Sequence, residues 1–144
     1  MSVTDRRPPF RFAVRTRVGF DETDAQGIVY YGRYMPYFDR ARVEYLRHLG
    51  VLVREPSDPE FVMRAQHVEY HAPARFDDEL EVFVRVRRLG RTSVTWEFEA
   101  FNASSDEHLA TSTQTAVYVA GRRPVPVDGA MREAVLAFDS AAES

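Results

Sequence analysis

The sequence predicts an α+β fold in which an antiparallel five-stranded sheet wraps around one long central helix. Two patterns predict it. Tyr34, Phe38, Ala41, Tyr45 and Leu49 recur three or four residues apart, the spacing of one helical face. Elsewhere five segments alternate apolar and polar residues in strand fashion, separated by turn chemistry. Length agrees: a chain of 144 residues buries about two thirds of its unfolded surface, enough for one core without covalent staples. We therefore expect a single domain over residues 1–144.

Each element has a local reason. Residues 1–9 read as a flexible polar tail ending in Pro8-Pro9, and residues 140–144 as a second tail. Phe10, Phe12 and Val14, then Val18 and Phe20, mark a first strand. A loop around Asp24 follows. Pro36 lacks an N–H and is tolerated only in a first helical turn, so the helix must begin between about Gly32 and Met35. Gly50 stops it, and Glu55-Pro56-Ser57-Asp58-Pro59 can only connect. Strands are expected over 61–72, stopped by Pro73, and over 79–88, where Leu80, Val82, Val84 and Val86 alternate. Gly90 turns the chain into 92–101, where Val94, Trp96, Phe98 and Ala100 share a face. Asn102 to Asp106 forms the next turn, before a strand over 109–119. Arg122 to Asp128 carries two prolines and leads to a short amphipathic helix, Met131 to Phe138.

Composition excludes several classes of function. With no cysteine there is no disulfide, thiolate metal site or cysteine nucleophile. All 19 basic residues are Arg, yet the net charge of −3 and the lack of a basic run argue against nucleic acid. No apolar run is long enough for a membrane span and no signal-peptide core follows Met1, so a cytoplasmic protein without membrane contact is expected. No serine lies in a Gly-x-Ser-x-Gly elbow. His67 and His71 have the spacing of a helical metal pair but fall in strand-like sequence, about 13 Å apart along a strand. No metal or cofactor is expected, and His48 and His108 read as exposed.

One stretch carries chemistry. Asp24-Ala25-Gln26-Gly27-Ile28-Val29-Tyr30-Tyr31 sets a carboxylate in a glycine-bearing loop that runs directly into the long helix. Free N–H groups at a helix start can hold a developing oxyanion, and a nearby carboxylate can attack a carbonyl or activate water. An Asp in such a place can also simply close a turn or cap the helix. The stretch resembles the active-site segment of the 4-hydroxybenzoyl-CoA thioesterase family of hotdog-fold acyl-CoA thioesterases. Tyr34, Phe38-Asp39-Arg40-Ala41-Arg42, His67-Val68-Glu69-Tyr70-His71-Ala72-Pro73 and Leu89-Gly90-Arg91-Thr92-Ser93 continue the likeness, which spans about residues 14–119.

The resemblance implies hydrolysis of an acyl- or aroyl-CoA thioester by a homodimer or homotetramer whose acyl site lies between protomers. It implies Asp24 as nucleophile or general base, the Tyr31 N–H as the donor to the thioester oxygen, and Gly27 as the residue that lets the loop approach. Tyr30 and Tyr34 would line the acyl site; Arg88, Arg91 and Ser93 would meet the CoA nucleotide. Asp21 and Glu22, outside the matched position, are expected to tolerate amide substitution. Relatives linked to the bacterial Tol-Pal system carry His where this chain has Tyr31, so that position offers a backbone N–H and a ring wall rather than an imidazole. Other hotdog readings are a hydratase or dehydratase, disfavoured because no His lies in the loop before the helix, and a silent module that binds acyl-CoA or an acyl carrier protein.

Overall fold

The computed structural model describes residues 2–54 and 60–143; the expected connection at 55–59 lies outside them. The strands are β1 (Ser2–Arg7), β2 (Phe10–Arg17), β3 (Glu60–Tyr70), β4 (Glu79–Leu89), β5 (Ser93–Asn102), β6 (His108–Ala120), β7 (Arg123–Pro124) and β8 (Ala142–Glu143). The helices are α1 (Tyr34–Leu49) and α2 (Gly129–Phe138). One sheet runs in the order β1-β2-β4-β5-β6-β3, with β7 on β6 and β8 on β4. The five predicted strands are its long members, and α1 packs on one face of the sheet, which is the hotdog arrangement.

The helix forms as its pattern requires. Tyr34, Tyr37, Phe38, Ala41 and Tyr45 are buried, Pro36 sits in the first turn, and Gly50 ends α1 at φ 75°. That face meets the inward residues of the sheet, Leu80, Val82, Val84, Val86, Val94, Trp96 and Phe98 among them. Phe38 packs on Phe98 at 5.2 Å and Tyr45 on Trp96 at 5.3 Å between ring centroids. Each large side chain so buried contributes about 1.5–3 kcal/mol, so the helix is fixed by its packing more than by its own propensity.

The termini differ from expectation. Ser2–Arg7 pairs with β2 as an edge strand instead of trailing as a tail. A second small cluster, Phe10, Ala13, Phe83 and Phe101, is buried on the other face of the sheet. The Arg7 guanidinium lies 3.5 Å above the Phe101 ring centroid, and Arg6 bonds to Glu81. Cations over aromatic faces hold this strand, and an apolar-alternation test does not register them. At the other end Ala142–Glu143 pairs in parallel with Arg88–Leu89, and Arg132 bonds Glu143 at 3.1 Å. Phe20, expected to extend the first strand, stands 77% exposed in a 3-10 turn and touches only the ring of Phe76 among the aromatics, at 5.7 Å.

The opposite edge of the sheet is β3. Nearly all its residues are exposed, including Phe61, Val62, Met63 and Tyr70. Among the described residues no strand pairs with its outer side, which leaves an open edge there.

Candidate active site

The Asp24 loop is a hydrogen-bonded turn closed on itself. Asp24 N–H donates to Ile28 C=O at 2.9 Å and Gly27 N–H to Asp24 C=O at 2.9 Å. Gly27 adopts φ +78°, and a side chain there would meet nothing within 4 Å, so the glycine is needed for conformation. Asp24 Oδ1 accepts the Gln26 N–H at 2.8 Å, the local bond that makes Asp favourable at such a corner. The turn-closing and the chemical readings of Asp24 are therefore compatible: one oxygen closes the turn while the residue lines a cleft of 360 Å3 with Ile28, Tyr31, Tyr34, Tyr70 and Pro73.

Three contacts anchor the loop. Val29 N–H donates to Ala74 C=O at 2.8 Å, which ties the loop to the segment after β3. Tyr30 N–H donates to Glu22 C=O at 3.0 Å. Glu22 Oε1 in turn accepts the Gly19 N–H at 2.6 Å and the Tyr37 O–H at 2.8 Å, so the turn before the loop is tied to α1 itself. Glu22 is thus a structural acceptor, a role that Asp21 does not share.

The chain then enters the helical run through a 3-10 turn at Tyr31–Arg33, with α1 beginning at Tyr34 inside the predicted interval. Arg33 N–H donates to Tyr30 C=O, whereas the N–H groups of Tyr31 and Gly32 have no acceptor among the described residues. A side chain at Gly32 would come within 2.9 Å of the exposed Tyr30 ring, which would have to shift. Tyr34 is 2% exposed, and burial pushes its hydroxyl up to about 12, with Tyr70 adding to the shift. It remains a neutral phenol at any working pH. Tyr30 stacks on Tyr31 at 4.4 Å but lies outside the cleft wall. Tyr70, visible in the sequence only as part of a strand motif, closes that wall and donates its hydroxyl to Tyr31 C=O at 3.0 Å.

Arg88, Arg91 and Ser93 lie at the far end of the sheet. Ser93 pairs with Val117, and Thr92 C=O accepts the Tyr118 N–H at 2.7 Å, beside Phe61 at the start of β3. The cleft sits past the other end, where Tyr70 pairs with Ala110. The length of β3 separates the two, about 30 Å at about 3.3 Å per residue. The arginine turn is braced from behind: Arg132 donates to Gly90 C=O at 2.5 Å and Val127 N–H to Arg91 C=O at 2.9 Å.

His71 and His108 stack at 4.4 Å and both meet the Thr111 hydroxyl. His108 is half-buried instead of exposed, and burial lowers its pKa. Among the described residues no group of three or more His, Asp and Glu is arranged to hold a metal ion. No helix among them is long and apolar enough to cross a membrane.

A family model described as the thioesterase superfamily matches residues 26–108, more than half of the chain. The acyl-CoA thioester hydrolase YbgC of Escherichia coli O6:H1 is 38% identical over 98 residues, covering 67% of this chain and 72% of that protein. Among solved structures, a thioesterase of Thermus thermophilus complexed with coenzyme A and Zn superposes with a TM-score of 0.81 at 29% identity, covering 93% of this chain and 98% of that one. A thioesterase-superfamily protein of Jannaschia sp. CCS1 gives a TM-score of 0.86 at 24% identity over 96% of this chain and 89% of its own, which speaks for the fold alone.

Proposed function

The chain belongs to the thioesterase superfamily, and from that premise we propose that it is an acyl-CoA thioesterase, converting R-CO-S-CoA and water to the free acid and CoA. One observation carries the reading to residues: Asp24 and Tyr31, whose N–H opens the helical run and has no acceptor among the described residues, line one cleft. A thioester carbonyl placed there meets both partners that acyl transfer needs. The Tyr31 N–H takes the charge that develops on oxygen, helped by the positive end of the helix. Asp24 supplies the electron pair, by attacking the carbonyl carbon or by taking a proton from the water that attacks it. The C–S bond breaks as the tetrahedral centre collapses and CoA leaves as the thiolate; on the route in which Asp24 attacks, water then cleaves the Asp24–acyl anhydride, which releases the acid and restores the carboxylate. Gly27 holds the turn in the conformation that presents Asp24, and Tyr34 bounds the acyl side, whereas Tyr30 lies outside it.

The CoA end requires a second protomer. Arg88, Arg91 and Ser93 supply guanidinium and hydroxyl donors suited to phosphates, but within one protomer they stand the length of β3 away from Asp24. Two β3 edges paired antiparallel about a two-fold axis bring the arginine turn of one protomer beside the cleft of the other. That pairing also covers Phe61, Val62 and Met63 and removes the open edge. The protein works in this reading as a homodimer or a dimer of dimers with shared sites. The deciding assay is thiol release from a panel of aryl, short, medium and long acyl-CoA. Hydrolysis of at least one class supports the reading; ligand-induced thermal stabilisation without thiol release overturns it and identifies a silent binder.

A further inference from the structure

We propose that Tyr70 is a positioning residue that sets the oxyanion donors, an inference that rests on the thioesterase reading of the cleft. Its hydroxyl donates to Tyr31 C=O at 3.0 Å, and the same oxygen also accepts the Tyr34 N–H at the start of α1. That carbonyl belongs to the peptide unit whose other end is the Gly32 N–H. Two donors on one carbonyl fix the plane of the peptide and polarise it, so its N–H becomes a stronger donor. The Gly32 N–H has no acceptor among the described residues and neighbours the Tyr31 N–H in the opening turn. Tyr70 therefore orients and strengthens the second of the two donors that open the helical run. Its ring is itself held, edge-on to Tyr34 at 5.4 Å and to Tyr31 at 6.3 Å.

The geometry also explains why the hydroxyl comes from β3. A 3-10 turn is short and its hydrogen bonds are poorly aligned, so the first peptide of the helical run needs support from outside. Tyr70 is the last residue of β3 and reaches that peptide across the cleft wall.

Tyr70→Phe removes the hydroxyl and keeps the ring contacts. We expect kcat to fall about tenfold to a hundredfold, below the full loss of an oxyanion donor, while KM changes less than about twofold. Tyr118→Phe, which removes a hydroxyl from β6 at the other end of the sheet, should leave both unchanged. A spectroscopic readout separates positioning from mere support. In an Asp24→Asn background the isotope-labelled carbonyl of a bound acyl-CoA should vibrate at lower frequency than in water, and adding Tyr70→Phe should reverse most of that shift. An unchanged frequency, or a loss of kcat accompanied by a matching rise in KM and a lowered melting temperature, overturns the proposal. If wild type is active, Asp24→Asn is inactive and Tyr70→Phe equals wild type, only the role of Tyr70 fails. If wild type releases no thiol from any acyl-CoA, the thioesterase reading fails and the inference falls with it.

Discussion

Tyr37, one turn inside the central helix, donates a 2.8 Å hydrogen bond to Glu22 in the turn that precedes the Asp24 loop. The bond joins the turn that leads into the Asp24 loop to the helix that follows that loop. Burial, and then Glu22, raises the Tyr37 pKa, so the phenol stays a donor throughout the working range.

Glu22 and Asp21 should accordingly part company. Glu22→Ala leaves the Gly19 N–H and the Tyr37 hydroxyl without their acceptor, and should cost about 1–3 kcal/mol of stability. It should also lower turnover by letting the loop drift. Asp21, 81% exposed at its side chain, should tolerate Ala within about 0.5 kcal/mol. Chemical denaturation of both variants checks this; equal stability would remove the structural role assigned to Glu22.

Asp24→Asn is the cleanest probe of the chemistry. The amide keeps an oxygen for the Gln26 N–H, so the turn should persist while the charge and the basicity vanish. Turnover should fall about a hundredfold to ten-thousandfold with an unchanged melting curve. Asp24→Ala loses the turn bond as well and should add about 1 kcal/mol of destabilisation. Normal turnover by the Asn variant would sink the mechanism.

Much of this site is legible in the sequence because its causes are local. Asp24 and Gly27 fit a tight turn, Pro36 limits where the helix starts, and Tyr34, Phe38, Ala41 and Tyr45 set the buried face. What stays hidden depends on partners far away in the chain. Arg7 over Phe101 makes a strand out of residues with no apolar alternation. Tyr45 meets Asp139 across 94 residues, and Tyr70 reaches Tyr31 across 39. No periodicity or turn rule signals a hydroxyl that crosses a fold. The arginine turn shows the converse: its residues are easy to mark, but only the register of β3 on β6 shows which end of the sheet they occupy.

Asp139 gives a prediction about pH. Its carboxylate is buried and accepts the Tyr45 hydroxyl at 2.5 Å and the Val86 N–H at 3.1 Å. Burial raises its pKa against the opposing pull of those bonds and of the Arg85 and Arg11 charges. The folded chain thus holds a proton at pH values where the unfolded chain has released it. This group's contribution to stability therefore grows as pH falls through the raised value and shrinks as pH rises through it. Asp139→Asn removes that dependence, so the stability difference between variant and wild type should shift in favour of the variant as pH rises from about 4 to 7. A difference that stays flat across this interval would show that burial does not control the carboxyl.

The separation of Asp24 from Arg88 and Arg91 yields the sharpest test of assembly. If the arginines grip CoA phosphates, replacing both with Ala removes binding common to ground state and transition state, so KM should rise while kcat holds. An acyl-pantetheine, which lacks the nucleotide phosphates, should be handled alike by wild type and variant. Light scattering should show a dimer or a dimer of dimers, and Val62→Arg on the open β3 edge should dissociate it with loss of activity. Mixing then decides whose arginines serve which carboxylate. Asp24→Asn protomers exchanged with Arg88→Ala/Arg91→Ala protomers form hybrids in which one site joins an intact Asp24 to the other subunit's intact arginines. The second site of each hybrid lacks both. At low acyl-CoA the mixture should recover activity that neither parent shows, approaching about one quarter of wild type when half of the dimers are hybrids. If each site drew both groups from one protomer, hybrids would add nothing and the mixture would equal the mean of its parents. The CoA would then be held by residues nearer the cleft, and the shared site would have to be abandoned.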